Sequence, residues 1–542
     1  MNFPSKLQYL FAYHPTPTQN FLVPHSPNEL PTKKEKNIAI SSDFSKNFAY
    51  LKVKYNLLIN SDITAREFEI PIANKIFKAL LVFVDGMTSA DSINNNILKP
   101  LMLKNTLKMN PFKPPKLNNI QKFDLQHFLL NRLISQNVIE IEPDFKSCFE
   151  KINSGFVALF VDTLPIAICI EAKDIKTRTI STPQAESVVR GPQASFIENL
   201  RTNTAQIRKI INNENLIIEN IKIGEITHTN VSICYMKNIT NDYLVSEVKF
   251  RLNNIQLDSL TSSGELENMI KDNLHNIYPE SIATERPDKT SKLILAGRIA
   301  ILVDGSPFAL IVPVFLLDFL ISTEDLNLNH IFANFLKIIR VIAFALTVQL
   351  PAIYIAVTTF HDEFLPTELL LAITSAREKI PFPIIIEIFL MELSFELIRE
   401  AGIRVPSAFG QTIGIVGALI LGEAAVTANI ISPILVIIIS ITAISEFTLP
   451  DYSFSFSTRI FRIFYIFLGY FLGLLGITCG LFIHLSFLFS YTSFGVPFLS
   501  YNSFKEYLQK PIWKNETRSH VLNTKRKMQQ PEKSMEWRKN EK

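Results

Sequence analysis

Between Pro381 and Phe447 a strongly apolar stretch carries Glu387, Glu392, Glu396, Arg399, Glu400, Glu423 and Glu446. A carboxylate at bilayer depth costs at least about 2.5–3.5 kcal/mol, so such a group faces protein or water rather than lipid. On a wheel of about 100° per residue, Glu392, Glu396, Arg399 and Glu400 share one sector, interrupted by Ile385 and Phe389, with Glu387 apart. A membrane helix with an acidic stripe can supply a ring of negative charge for cations when several copies surround one axis. The competing reading is an interfacial helix whose charges pair locally, attractively for Glu396 with Arg399 and repulsively for Glu396 with Glu400. Glu423, among small residues in LGEAA, is a further candidate for an ion path or for a hydrogen bond to a neighbouring helix.

Other chemistry finds no support in the residues. There is no GxxxxGK[ST], HExxH, GxSxG or GxGxxG after a strand, and the nine histidines are scattered. No enzyme, cofactor or metal site is expected. Cys148, Cys169, Cys234 and Cys479 lie far apart, without a CxxC, and read as reduced thiols. The formal net charge of +4 is too small to suggest nucleic acid.

These candidate residues need a scaffold, and composition divides the chain. Residues 1–45 are rich in Pro, Asn, Ser and Thr and read as a flexible tail. Up to about Asn327 the composition is globular; from about Ile331 to Phe498 it is membrane-like. Lys505 to Lys542 holds eleven Lys/Arg against five Glu, a basic tail. The N-terminus has neither a continuous apolar core nor a small-residue cleavage site, so no signal peptide is expected there.

The soluble part alternates strand and helix patterns, which makes it α/β. ALLVFVDGM reads as a strand, SADSINNNILKPLM and DLQHFLLNRLISQ as helices, and GFVALFVDTLPIAICIEAK as a hairpin. The order recurs with VSICYM, NDYLVSEVKFRLNNI and RIAILVDGSPFALIVPV. Overlaying the hairpins aligns Asp162, Pro165 and Ala167 with Asp304, Pro307 and Ala309. Two related subdomains are expected, 46–200 and 201–325. Between them, Arg190, Gly191 and Pro192 form a turn leading to a helix with Glu198 and Arg208. That stretch reads as the docking surface of one subdomain on the other; an anion site at the helix start is the alternative.

The helical membrane domain, 331–499, is expected to hold four to six segments of about 20 apolar residues each. Ile338–Thr358, Ile413–Asn429, Ile430–Phe447 and Ile463–Phe489 qualify; Pro381–Ile398 is shorter and charged. Placing the basic flanks, the N-terminal domains and the basic tail (500–542) together in the cytoplasm demands an even number of crossings. One way to reach six is to split Ile463 to Tyr501 into two short spans. Ten of the seventeen glycines lie between Gly402 and Gly495, with Gly410/Gly414, Gly469/Gly473 and Gly476/Gly480 at the spacing of close helix packing.

From about Phe44 to Leu499 the chain resembles the A subunits of GerA-type spore germinant receptors. FVDGM with NILKPLM, VVRGP with FIENLRTNTAQIR, IGEITHTNVSICYM, YPESIATERPD, GRIAILVDGSPFALIVP, PFPIIIEIFLMELSFELIREAGIRVP, IGIVGALILGEAAV and SFGVPFL carry the likeness. The resemblance implies a subunit of the spore's inner membrane, acting with a permease-like B subunit and a lipoprotein C subunit. It also implies a homo-oligomer, a pentamer by the family's pattern, that releases monovalent cations when a germinant binds. One departure stands out: Asp162-Thr163 where the family commonly has Asp-Gly. A solute permease with an intramembrane acidic site is the alternative, though permeases usually show about ten spans with inverted repeats.

Overall fold

The computed structural model describes residues 38–72, 75–103, 122–173, 183, 185–273, 276–404 and 422–499. The N-terminal half contains two copies of one plan. In the first, α1 (Phe44–Lys54) precedes β1 (Ile63–Ile72) and β2 (Lys75–Val84). Helical turns over Ala90–Ser92, Ile93–Leu98 and Lys99–Met102, then Lys122–Phe128 and Leu129–Leu133, lead to β3 (Ile139–Glu142). α2 (Phe145–Asn153), β4 (Phe156–Val161) and β5 (Ala167–Glu171) complete the unit. The second copy runs α3 (Leu200–Ile210), β6 (Leu216–Ile223), β7 (Thr229–Met236), α4 (Asp242–Asn253), α5 (Ser263–Ile270), β8 (Ile282–Thr284), α6 (Pro287–Leu295), β9 (Ile299–Val303) and β10 (Ala309–Val312).

The strand orders correspond one to one: β1-β2-β4-β5-β3 and β6-β7-β9-β10-β8, with every pairing antiparallel. Helices cover both faces of each sheet. Leu80, Val82 and Phe160 face α1 and α2, whereas Ala79, Leu81 and Leu159 face the helical turns after β2. Burial on both faces explains why the central strands read as unbroken apolar runs. The repeat is longer than the expected β-α-α-ββ plan, because each copy begins with a helix and a strand whose alternating charges hid them. ITAREFEIPI and LIIENIKI are those strands.

Register ties the two hairpins together. Phe160 pairs with Ala167 and Leu302 with Ala309, the positions that the overlay of Asp, Pro and Ala demands. The turn is equally tight in both, with φ +76° at Thr163 and +85° at Gly305. Each turn amide donates to the segment ahead of its own repeat, Thr163 N to Ser42 O and Gly305 N to Glu198 O. A β-branched residue in the left-handed region is strained by roughly 1–2 kcal/mol. Replacing exposed Thr163 by Gly should therefore stabilise the chain by about 1 kcal/mol after the unfolded-state cost of glycine. Urea unfolding of the purified chain reads this, and an unchanged or lowered midpoint would contradict the strain.

Beyond the repeats comes a helical bundle. It contains α7 (His330–Phe360), α8 (Thr367–Arg377), α9 (Ile384–Arg404), α10 (Pro433–Phe447) and α11 (Tyr452–Ser490). α7 and α11 are long and apolar enough to cross a membrane, and α10 is apolar but only 15 residues long. α8 was not foreseen from the sequence, and most of the expected span Ile413–Asn429, with Gly410 and Gly414, lies outside the described residues.

α11 is two antiparallel arms rather than one rod. Phe461 and His484 stack at 4.1 Å, although 23 positions along a straight helix would separate them by about 35 Å. Tyr465 bonds His484 across the same gap, and a Cβ on Gly480 would meet Tyr465 and Leu468. All these pairs centre on Gly473, whose φ +61° and ψ −143° suit glycine alone. A Cβ on Gly476 would lie 2.2 Å from the Leu468 carbonyl oxygen, and one on Gly469 would lie 2.7 Å from that of Ala352 in α7. Gly476→Ala should accordingly cost about 1–3 kcal/mol by overpacking. A drop in the detergent-solubilised chain's thermal midpoint would show it; a wild-type midpoint would mean the arms are not packed this closely.

Ring contacts fix chain direction within the bundle. Phe344 of α7 meets Phe454 near the second α/β unit, and Phe360 meets Gly473 at the distal tip. α9 and α10 run the other way, since Phe389 meets Phe467 while Glu396 and Glu446 reach Arg459. Residue 404 thus ends near the α/β units and Ser432, beside Glu387, lies at the distal end. Among the described residues, α7, α9, α10 and the two arms of α11 each run along the bundle, α9, α10 and the second arm towards the α/β units. The second α/β unit and the bundle share one core, in which Leu316, Phe319 and Tyr278 pack with Val348, Phe454 and Tyr465.

Candidate functional site

The acidic residues of α9 fall into two places. Glu387, in its first turn, is fully buried at the distal end. It accepts from the Ser432 amide at 3.2 Å and lies 3.6 Å from the Arg377 guanidinium. Five and nine residues on, about 8 and about 14 Å along the axis, Glu392 and Glu396 enter a second and larger group.

That group is a six-membered ion cluster with Glu446 as its hub. The Glu446 carboxylate, 1% exposed, receives Arg399 Nη1, Arg459 Nε (2.7 Å), Arg462 Nη1 (3.2 Å) and Ser455 Oγ (3.1 Å). Glu392 pairs with Arg462 Nη2 at 2.9 Å, and Glu396 pairs with Arg459 Nη1. Three carboxylates therefore face three guanidiniums from α9, α10 and the first arm of α11. The local pairing of Glu396 with Arg399 does not occur. Arg399 turns to Glu446 and lies over the Phe395 and Phe447 rings at 5.3 and 5.1 Å. Glu392 is mostly buried, but 44% of the Glu396 side chain is exposed, so the cluster opens to the bundle surface on one side.

Glu423 stands elsewhere, exposed, with a hydrogen bond only from Thr427 to its own backbone carbonyl among the described contacts. Arg459 and Arg462 read from sequence only as the basic flank of a span. Their spacing of three on one helix face, opposite a helix whose Glu392 and Glu396 are four apart on one face, is the signal that could have paired them.

The turn between the repeats holds another set of contacts. Arg208, fully buried, grips Asp62 of the first unit with both Nε (2.5 Å) and Nη2 (3.0 Å), and also donates to Leu216 O. Asn60 and Ser61 hydrogen-bond the backbone at Leu216 and Ile218, covering the outer edge of β6. Arg190 and Pro192 contribute carbonyls, to Asn327 Nδ2 (2.7 Å) and Arg286 Nη2 (3.0 Å). Gly191 has φ +146°, and an added Cβ would sit 2.7 Å from Asn327. The Glu198 carbonyl takes the Gly305 amide. Of the five residues that the sequence singled out here, Arg208 bridges the two units, together with the Asn60 and Ser61 contacts; Arg190, Gly191, Pro192 and Glu198 fasten the linking loop to the second. Glu285 and Arg286, within ATERPD, also hold that loop: Glu285 accepts the Ala185 and Glu186 amides at 2.6 and 2.9 Å.

The second unit grasps the end of the hairpin. Asp272 accepts from Thr492 Oγ1 (2.8 Å) and the Phe494 amide (3.2 Å) while paired with Arg251 at 2.6 Å. Glu280 accepts the Asp272 amide at 2.5 Å. Burial, reinforced by the Asp272 carboxylate, pushes the Glu280 carboxyl from its ordinary 4.5 up to about 7. A folded-state value above the unfolded one means that the folded chain binds the extra proton. Its stability should thus rise as pH falls from about 7 towards 4.5. Glu280→Gln should flatten that part of the profile in thermal unfolding; an unchanged profile would show that Glu280 is not its source.

No group of three or more His, Cys, Asp or Glu suited to a metal occurs among the described residues. The chain matches, over residues 49–522, the family model described as "Bacillus/Clostridium GerA spore germination protein". It is 34% identical over 468 residues to spore germination protein KA of Bacillus subtilis (strain 168), covering 86% of this chain and 83% of that protein. It is 34% identical over 440 residues to the uncharacterized membrane protein YfkQ of the same organism, covering 81% and 82%. The crystal structure of the N-terminal domain of the A subunit of the Bacillus megaterium spore germinant receptor GerK3 shares 28% identity and covers 51% of this chain and 96% of that one, with a TM-score of 0.38.

Proposed function

The chain belongs to the GerA family of spore germination proteins, and from that premise we infer that it is a germinant-receptor A subunit whose helical bundle forms, with further copies, a cation-conducting path through the spore's inner membrane. The B and C subunits of the receptor are its partners, and 46–200 and 201–325 are its cytoplasmic α/β units, with the basic tail on the same side.

The observation that carries this reading is the match between the bundle and a bilayer. From Gly473 back to Phe454, where Tyr278 and Phe319 of the second unit stack at 5.4 and 5.3 Å, the arm is about 29 Å long. A hydrocarbon core is about 30 Å thick. Phe467, Phe471, Leu475, Phe482 and Phe489 are exposed along the arms, as a lipid-facing or copy-facing surface requires. The second arm of α11 runs back to Tyr278 of the second α/β unit, which agrees with the basic tail lying on that side. YfkQ, by its name a membrane protein, supports the same placement.

In this setting Glu392 and Glu396 are the residues that would meet a permeating cation. They lie inside the slab, and Glu396 opens to the surface that a neighbouring copy would cover. Glu387 sits deeper and closed, and Glu423, exposed on one copy, is available to a second. The test is reconstitution of the detergent-purified receptor into liposomes. Monovalent cation flux without solute accumulation is the expected result; solute uptake without cation flux would favour a permease.

A further inference from the structure

The carboxylates that the channel reading assigns to the ion path are not open to a cation in this conformation. Glu392 is held by Arg462, Glu396 by Arg459, and both arginines are also held by Glu446. Both arginines sit on the first arm of the hairpin, one turn apart. Charge in the cluster balances, three against three, so an ion entering there would displace a guanidinium.

The hairpin that carries these arginines is gripped from the other side. Tyr278 of the second α/β unit inserts its ring against Phe461 (5.1 Å) and Phe454 (5.4 Å), and its hydroxyl shares a 2.8 Å hydrogen bond with His484 Nε2 on the second arm. His484 in turn contacts Tyr465 at 3.3 Å. Ser457 donates to the Ile277 carbonyl at 2.7 Å. Phe461 thus touches Tyr278 on the helical arm that presents Arg459 and Arg462 to α9. A shift of the second unit would carry the arm with it, because these rings are buried and closely packed.

We propose that the helical hairpin is a latch, with Arg459 and Arg462 holding Glu392 and Glu396 neutralised until movement of the second α/β unit draws the arm away through Tyr278. This rests on the channel reading and adds its regulation. The two arginines are positioning residues, and the open state is the one in which the α9 carboxylates lose them.

The test uses spores carrying the full-length chain with its partner subunits. Arg462→Gln removes the partner of Glu392, and about a tenfold rise in cation release without nutrient is the expected result, corresponding to a modest population shift. Arg462→Lys, which keeps a positive charge opposite Glu392, should hold release near the resting rate. A second experiment does not depend on tolerance of a buried charge change. Phe389→Cys with Phe467→Cys puts thiols on the facing sides of α9 and α11, whose rings now meet at 5.4 Å, for joining by a short, disulfide-containing bis-maleimide. Cross-linking should block nutrient-stimulated cation release, and reductive cleavage of the linker should restore it. A full response with the cross-link formed would overturn the latch, as would resting behaviour of Arg462→Gln at normal abundance. Absence of cation flux from the wild-type receptor in liposomes would instead remove the channel reading itself.

Discussion

Glu446→Ala should be the most damaging single substitution in the bundle. It removes the acceptor shared by Arg399, Arg459 and Arg462 and leaves three guanidiniums facing two carboxylates at a largely buried site. Breaking one side of a buried pair costs roughly 3–5 kcal/mol, because the remaining charge stays desolvated. The expected outcome is loss of most folded protein from the membrane and a large fall in the thermal midpoint of what remains. Glu396→Gln, at a side chain nearly half exposed, is the control and should change stability by less than about 1 kcal/mol. Equal effects of the two would mean that Glu446 is not the hub.

Arg208→Ala is expected to be comparably severe in the soluble half. Its guanidinium is fully buried, and its loss would leave Asp62 uncompensated at the contact between the repeats, again roughly 3–5 kcal/mol. The loss should appear in a particular place. Hydrogen exchange should accelerate at the Ile218 and Ser61 amides, whose partners are Asn60 and Ile218, before the interior of either sheet opens. Uniform acceleration across both sheets, or none, would contradict the bridging role.

The duplication was legible because Asp, Pro and Ala recur at fixed offsets in two apolar hairpins, and strand register preserves those offsets. β1 and β6 were not legible, since Arg66, Glu67, Glu69, Glu219 and Lys222 break the apolar pattern on strands at the edge of each sheet. The departure at Thr163 changes no geometry, for Thr takes the same left-handed turn as Gly305 at the cost of strain. α11 was legible as one span, Ile463–Phe489, or as two short ones from Ile463 to Tyr501, and the structure shows two arms over Tyr452–Ser490. Apolar periodicity reports which face is greasy, not whether the chain reverses, and only the conformation of Gly473 marks the turn. For the candidate site, the sequence drew attention to the carboxylates of α9 and missed what neutralises them. A basic residue beside an apolar run reads as a cytoplasmic anchor, whereas Arg459 and Arg462 face inward to Glu392, Glu396 and Glu446.

The α9 carboxylates are the centre of the account, and ion selectivity tests them most directly. Currents through the reconstituted receptor should be recorded under bi-ionic conditions for the wild type and for Glu392→Gln with Glu396→Gln, with assembly confirmed by the size of the solubilised complex. A shifted reversal potential and altered cation preference in a normally assembled complex is the result expected. Identical currents and identical selectivity would take Glu392 and Glu396 out of the ion path.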